Sequence, residues 1–345
     1  MKISKMKKDF NRVYIGYTVY SLYLYLLYST EEEIDNTFFF IGEGIHKSIC
    51  EKLENKHYFS DDLYEPKNKI SGLFYRICLR YQSRRKWSFL TKSQIFAQDH
   101  FFFSAALIGK RNYTLIEDAP NVFLRHRDGL NKIKKTPAQI IFDLNNLFRK
   151  FIENSYSGPM GDNAQCRSVL MTNIESDPIL SNKQIIQVNE TEYWRRSSEA
   201  KKNKILTVFN ITPEDLIQLK KRKVIVFTQN FASLGFLPEE ELVDVYAERI
   251  SKYPPDEIII KKHALDRVDY RKYFPSAYVF DKNVPMQLLN LLDIRYETAI
   301  TICSSAVLSF PYEINIDWIG TTGNANLFAA LGKHELEAYF NNSKP

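Results

Sequence analysis

A chain of 345 residues is longer than one ordinary core, so two domains of roughly 150 residues each are expected. Its 44% hydrophobic and 26% charged residues mark a globular protein and exclude a disordered one. The 47 Lys and Arg against 41 Asp and Glu leave a net charge of +6, but the basic runs at 2–8, 84–86, 132–135 and 220–223 lack repeated aromatic interleaving, so nucleic acid is not expected as a partner.

Taken in order, 12–18 (RVYIGYT) reads as a first strand and 19–29 as a helix. That helix is apolar but too short to span a bilayer, so it is expected inside a core. A second strand follows at 37–41, then a basic-apolar helical pattern at 68–86. Strands at 93–97 and 113–116 flank a buried helical turn at 101–107. Residues 136–155 place Ile140, Ile141, Leu144, Leu147, Phe148 and Phe151 on one helical face. The polar stretch 187–204 is the expected boundary, dividing the chain into domains 1–190 and 191–345.

The pattern then restarts. A strand is expected at 205–209 and a helix at 212–219, with Thr212 as its cap and Pro213 at its first position. Strands at 224–228, 258–261, 277–280 and 299–302 alternate with helices at 238–253 and 285–292. The fold class is therefore α/β, with two Rossmann-like domains facing across a cleft, as in many nucleotide-sugar transferases. A Gly-rich dinucleotide fingerprint is missing, which disfavours oxidoreduction.

Cys50, Cys78, Cys166 and Cys303 form no C-x-x-C pair, so neither zinc nor a disulfide framework is suggested, and a reducing cytoplasm is expected. His46, His57, His100, His126 and His334 lack metal-ligand spacing. Asp99-His100 stands apart, because it follows a strand toward the expected cleft and could serve an acceptor or supply a base. Lys2, Lys5, Lys7 and Lys8 allow peripheral contact with the inner membrane, and a homodimer is compatible with the chain.

The chemistry-bearing residues cluster at strand ends in the second half, where open α/β sheets bind ligands. They are Lys261-Lys262-His263, then Lys282-Asn283-Val284-Pro285, then Ser304-Ser305. Hydroxyls, a histidine and an ammonium suit a phosphate. Each also has a plain structural reading: Ser-Ser is commonly a helix cap, and a lone His is commonly structural.

The run IIIKKHALDRVDYRKYFPSAYVFDKNVPMQLLNLL, with YETAITICSSAVLSF after it, resembles the C-terminal half of bacterial sialyltransferases of glycosyltransferase family 52, over residues 224–311. The family pattern is Lys-Pro-His-Pro-Arg-Asp after a strand, a Phe-Pro segment, a Pro-x-Glu helix, and a strand ending in Ser-Ser or Ser-Thr. Here Ala264 follows the histidine and Gln287 stands at the Glu position. Related enzymes carry an acidic-acidic-Gly triplet in the first domain; Glu117-Asp118-Ala119 occupies that place here and departs from it in ending with Ala.

The resemblance implies an inverting GT-B transferase that moves sialic acid from CMP-sialic acid to a glycan such as lipooligosaccharide or capsule. It implies the roles as well. His263 would contact the CMP phosphate and act as general acid, and Ser304 and Ser305 would bind that phosphate. Lys262, Lys282, Pro285 and Gln287 would complete the donor site, and Asp118, or Glu117, would be the base. No metal or other cofactor is expected, since one phosphate can be held by His and hydroxyls. CMP-Kdo, another nonulosonic acid or a UDP-sugar stays open as the donor, as does a non-catalytic glycan- or nucleotide-binding protein.

Overall fold

The computed structural model describes residues 9–59, 69–120, 160–174 and 180–336. The helical pattern at 136–155 and the basic N-terminus lie outside them. The chain divides into two compact units, Met1–Val208 and Phe209–Pro345.

The first unit carries a parallel seven-stranded sheet. Its strands are β1 (Arg12–Gly16), β2 (Thr37–Gly42), β3 (Lys56–Phe59), β4 (Gln94–Ala97), β5 (Tyr113–Ile116), β6 (Cys166–Met171) and β7 (Gln184–Gln187). They lie in the order β3-β2-β1-β4-β5-β6-β7. Strand β2, TFFFIG, is buried along its whole length, as a strand covered on both faces requires. One face packs Phe38, Phe40, Phe59, Trp87 and Phe103 into an aromatic core. Much of the chain's high aromatic content is spent there.

The apolar helix is real and runs Val19–Tyr28, capped by Thr18 and buried from Tyr20 to Leu27. Among the described residues no helix is long and apolar enough to cross a membrane. Strands β3, β6 and β7 carry too little alternation to be read from sequence. Strand β7, for example, is only half-buried.

The second unit repeats the plan with five parallel strands. They are β8 (Val224–Phe227), β9 (Ile258–Lys261), β10 (Tyr278–Phe280), β11 (Thr298–Thr301) and β12 (Asn315–Trp318), in the order β10-β9-β8-β11-β12. The expected helix at 212–219 is Pro213–Lys221, with Thr212 and Asp215 forming a reciprocal capping box.

Two expectations are corrected. Residues 205–209 are not a strand, because the helix Glu199–Val208 runs through them. Its buried residues, Lys201, Ile205 and Val208, recur at helical spacing, with a lysine stem serving as part of the apolar face. The division of the chain falls after that helix instead of at 190. The polar stretch 187–204 is polar because it lies on the first unit's surface, and contacts tie it there. Lys201 Nζ donates to the Leu27 carbonyl at 2.6 Å and Ser198 Oγ donates to Glu31 at 2.6 Å. Lys204 also pairs with Asp35.

Lys201 satisfies a carbonyl at the end of a buried helix, so Lys201→Ala is expected to cost the first unit about 1–3 kcal/mol. A thermal melt reads this as a lowered Tm, and an unchanged Tm would show that the helix is not tied to that unit.

Candidate active site

In both sheets the strand order reverses next to the first strand, and this reversal opens a crevice beyond the strands' C-terminal ends. In the first unit the reversal lies between β1 and β4. Gln98 bridges it. Its Oε1 accepts the Tyr17 and Thr18 amides at 2.6 and 3.1 Å, and its Nε2 donates to Thr18 Oγ1 at 2.9 Å.

Asp99-His100 follows directly, and Glu117-Asp118 leaves the neighbouring β5. His100 Nε2 lies 2.9 Å from Asp118 Oδ2. Asp99 is buried behind this pair. Tyr113 OH donates to its Oδ2 at 2.5 Å and the Gly161 amide at 3.0 Å. Burial raises the Asp99 pKa against those bonds. Its Oδ1 stands 3.9 Å from His100 Nδ1, too far for a hydrogen bond.

The two adjacent acids divide sharply. Glu117 has 0% exposure, and its Oε1 accepts from Tyr20 OH at 2.8 Å, the Thr172 amide at 2.8 Å and Thr172 Oγ1 at 2.7 Å. It braces the helix Val19–Tyr28 against the end of β6, so the candidacy of Glu117 as a catalytic base is corrected: no substrate hydroxyl can reach it. Asp118 keeps 20% side-chain exposure, and its Oδ1 has no hydrogen-bond partner among the described residues. That oxygen is enclosed, as is Asp99 Oδ1, which likewise has no hydrogen-bond partner among the described residues.

In the second unit the reversal lies between β8 and β11, with β9 on the other side of β8. Registry sets Lys261 beside Phe227 and Phe227 beside Thr301. The residues that follow these three strands therefore emerge side by side, with β9 and β11 separated by about 10 Å. Thr228 stands in the middle. Its Oγ1 donates to Asp266 Oδ2 at 2.6 Å and accepts the His263 amide at 3.1 Å.

His263 stands on the exposed turn after β9 with its ring partly desolvated, and its Nδ1 accepts the Leu265 amide at 3.2 Å. Desolvation lowers its pKa. Asp266 opposes that and Lys261 adds to it. Lys261 ends β9 with its ammonium 5.8 Å from the Phe280 ring centroid, and desolvation pushes its pKa down to about 8. Lys262 is half-buried beside it.

On β11 the Thr301 hydroxyl donates to the Phe227 carbonyl at 3.2 Å and accepts the Ser304 amide at 3.0 Å. Ser304 caps the short 3-10 turn Ser305–Ser309, accepting the Ala306 amide at 3.3 Å, and Ser305 is exposed. The structural reading of Ser304 as a cap is thus correct, and it leaves the hydroxyl's own proton free to donate. Pro285 caps the helix Met286–Asn290, which carries a half-buried Gln287.

Lys282 is corrected. Its ammonium is held by buried Asp215, which also accepts from Tyr278 OH at 2.5 Å and the Thr212 amide at 2.6 Å. Burial alone would raise the Asp215 pKa, but Lys282, Thr212 and Tyr278 hold it below its ordinary value. Lys282 thus neutralises a buried carboxylate on the wall of a cavity of about 320 Å³, a structural role that the sequence does not show.

The residues missed in the sequence are Gln98, Thr228 and Asp266. All three are ordinary polar residues whose role lies in what they bridge. Only the placement of Thr228 at the end of the buried run VIVF could have signalled one of them. Among the described residues no three His, Cys, Asp or Glu side chains group as a metal site would.

Two units, each built on a parallel sheet whose strand order reverses beside its first strand, are the plan of the GT-B fold. The model of the family described as glycosyltransferase family 52 matches residues 32–319, and the chain belongs to that family. The match reaches well into the first unit, beyond the 224–311 visible in the sequence. An uncharacterized protein of Haemophilus influenzae is 26% identical over 280 residues, covering 78% of this chain and 84% of its own. Among solved structures, the GT-B domain of a sialyltransferase from Photobacterium damselae superposes with a TM-score of 0.52 at 13% identity, covering 89% of each chain. A second sialyltransferase structure from the same organism gives 0.50 at 13% identity, covering 88% of this chain and 72% of its own.

Two variants test the reassigned residues. Glu117→Ala strands buried donors and is expected to cost about 2–5 kcal/mol in urea unfolding, while Asp118→Asn should stay within about 1 kcal/mol of the parent. For Asp215 the depressed pKa adds stability above its unfolded value of about 3.9, and this is lost as pH falls through the folded value. Lys282→Met should therefore weaken the chain more at about pH 7 than at about pH 3. Equal losses at both would refute the pairing.

Proposed function

We propose that this glycosyltransferase transfers sialic acid, with inversion, from CMP-sialic acid to the terminal sugar of a cell-surface glycan. The observation that carries the reading is the row Lys261-His263, Thr228 and Ser304-Ser305 at the reversal point of the second sheet. It offers a ring N–H, hydroxyls and one ammonium, a set scaled to a single phosphate. Lys262, Pro285 and Gln287 border that row and would contact the nucleotide.

Asp118 is the proposed base, taking the acceptor hydroxyl's proton while the new bond forms, with His100 holding the carboxylate. The exposed part of the Asp118 side chain is where the acceptor would approach, since Oδ1 is itself enclosed. Cytoplasmic residence and peripheral contact with the inner membrane fit a donor made in the cytoplasm and an acceptor on a lipid anchor.

CMP release from CMP-sialic acid is measured with a galactose-terminated acceptor. His263→Ala and Asp118→Asn are each expected to lower turnover by about 10²–10⁴-fold. In a thermal-shift panel CMP should raise Tm and UDP and GDP should not. Stabilisation by UDP alone would overturn the donor class, and CMP binding without transfer to any acceptor would point to a non-catalytic glycan-binding protein.

A further inference from the structure

The ring of His263 carries information about its own proton. Its Nδ1 lies 3.2 Å from the Leu265 backbone nitrogen, which can only donate. Nδ1 must therefore present a bare lone pair, and a neutral ring held this way carries its hydrogen on Nε2. The backbone that fixes this geometry is itself fixed. Thr228 Oγ1 accepts the His263 amide, Thr228 donates to Asp266, the Asp266 amide donates to the His263 carbonyl at 3.0 Å, and Asp266 Oδ1 accepts the Val268 amide at 3.1 Å. The turn 263–268 thus closes on itself around one threonine hydroxyl.

We infer that His263 serves the reaction as a neutral Nε2–H hydrogen-bond donor to the departing phosphate, locked in that tautomer by the Leu265 amide and by Thr228 and Asp266 as positioning residues, and that it transfers no proton. This rests on the reading of His263 as a phosphate ligand.

Protonating Nδ1 would set two N–H groups against each other and break the bond to Leu265. The charges around the ring agree. Desolvation and the Lys261 ammonium both disfavour an imidazolium. Asp266 favours it, but one carboxylate oxygen is bound by Thr228 and the other by Val268. The Tyr246 and Tyr270 phenols also face Asp266, and burial raises both pKa values, so they stay neutral.

The chemistry does not need a proton from His263. A phosphate monoester has its second pKa near ~6, so it is stable as a dianion at neutral pH. The bond from the sugar's anomeric carbon to the phosphate oxygen breaks, and its electron pair stays on that oxygen. The acceptor oxygen bonds to the same carbon, and its proton goes to the base. The growing charge on the phosphate is met by the Nε2–H dipole, by the Lys261 ammonium and by hydroxyls. Nothing else need cross.

The test separates donating from protonating. Glutamine sets an amide N–H near the position of Nε2 but cannot act as an acid at neutral pH. CMP release is compared for the parent, His263→Ala and His263→Gln. Alanine is expected to lose about 10²–10³-fold in kcat, and glutamine to regain at least about tenfold of that loss. The parent's kcat should not fall between about pH 6 and 7.5, the range in which an imidazolium of ordinary or lowered pKa would be lost.

Histidine-selective 15N labelling gives a readout independent of turnover, with the His263 signal assigned by its disappearance in the alanine variant. At about pH 7 it should show a neutral ring protonated on Nε2. An imidazolium at that pH, or glutamine as inactive as alanine, would overturn the inference while leaving His263 as a phosphate ligand. Unchanged turnover in the alanine variant would overturn that ligand reading, and the inference with it. For the positioning residues, Thr228→Val should shift the His263 proton away from Nε2 and lower kcat, and Thr228→Ser should restore both. A Val variant with the parent's spectrum and rate would remove Thr228 from the account.

Discussion

One hydroxyl organises the active edge of the second unit. Thr228 Oγ1 donates to a buried carboxylate and accepts the amide that precedes the His263 ring. A serine-sized group is the least that can do both, because only a hydroxyl offers a donor and an acceptor on one atom. The bond to Asp266 is charge-assisted and short, 2.6 Å, and it is enclosed where water does not compete. The loop after β9 is therefore fixed without a proline, although Ala264 stands where the family commonly has one. Rigidity that a ring would supply through φ is supplied here by side-chain hydrogen bonds.

The first unit solves the same problem differently. Its reversal point is spanned by an amide side chain, Gln98, which receives two backbone N–H groups and returns a donor to Thr18. Below it, Glu117 ties the helix Val19–Tyr28 to the end of β6. These internal contacts hold the strand ends that carry His100 and Asp118, and the two side chains meet there at 2.9 Å. Alternation along the chain leaving β5 does the sorting. Glu117 faces inward and Asp118 outward, so two neighbouring carboxylates of like chemistry take unlike work.

The legible parts of the fold were those with one dominant signal. Strands β1, β2, β8, β9 and β11 are short apolar runs bounded by polar residues, and the sequence shows each of them near its observed span. Pro213 with Thr212 announced its helix. The illegible parts had competing signals. Residues 205–209 read as a strand because Ile, Thr, Val and Phe are β-prone, yet Lys201 upstream shares a buried face with Ile205 and Val208. A buried lysine hides helical periodicity from any reading that counts it as polar. Strand β12, NIDW, is only half-covered and alternates too weakly to stand out.

At the site the strand-end residues were visible and their partners were not. His263 and the two serines could be placed at strand ends from one-dimensional pattern alone. Lys282 could be placed there too, yet it is spent on Asp215, 67 positions earlier in the chain. A cation after a strand reads the same whether it awaits a phosphate or neutralises a buried acid, and only the third dimension separates the two. The same holds for Glu117 and Asp118. What distinguishes a functional polar group here is what the fold leaves exposed: Asp118 keeps part of its side chain open and His263 is exposed, while Glu117 is buried and Lys282 is tied to a buried carboxylate.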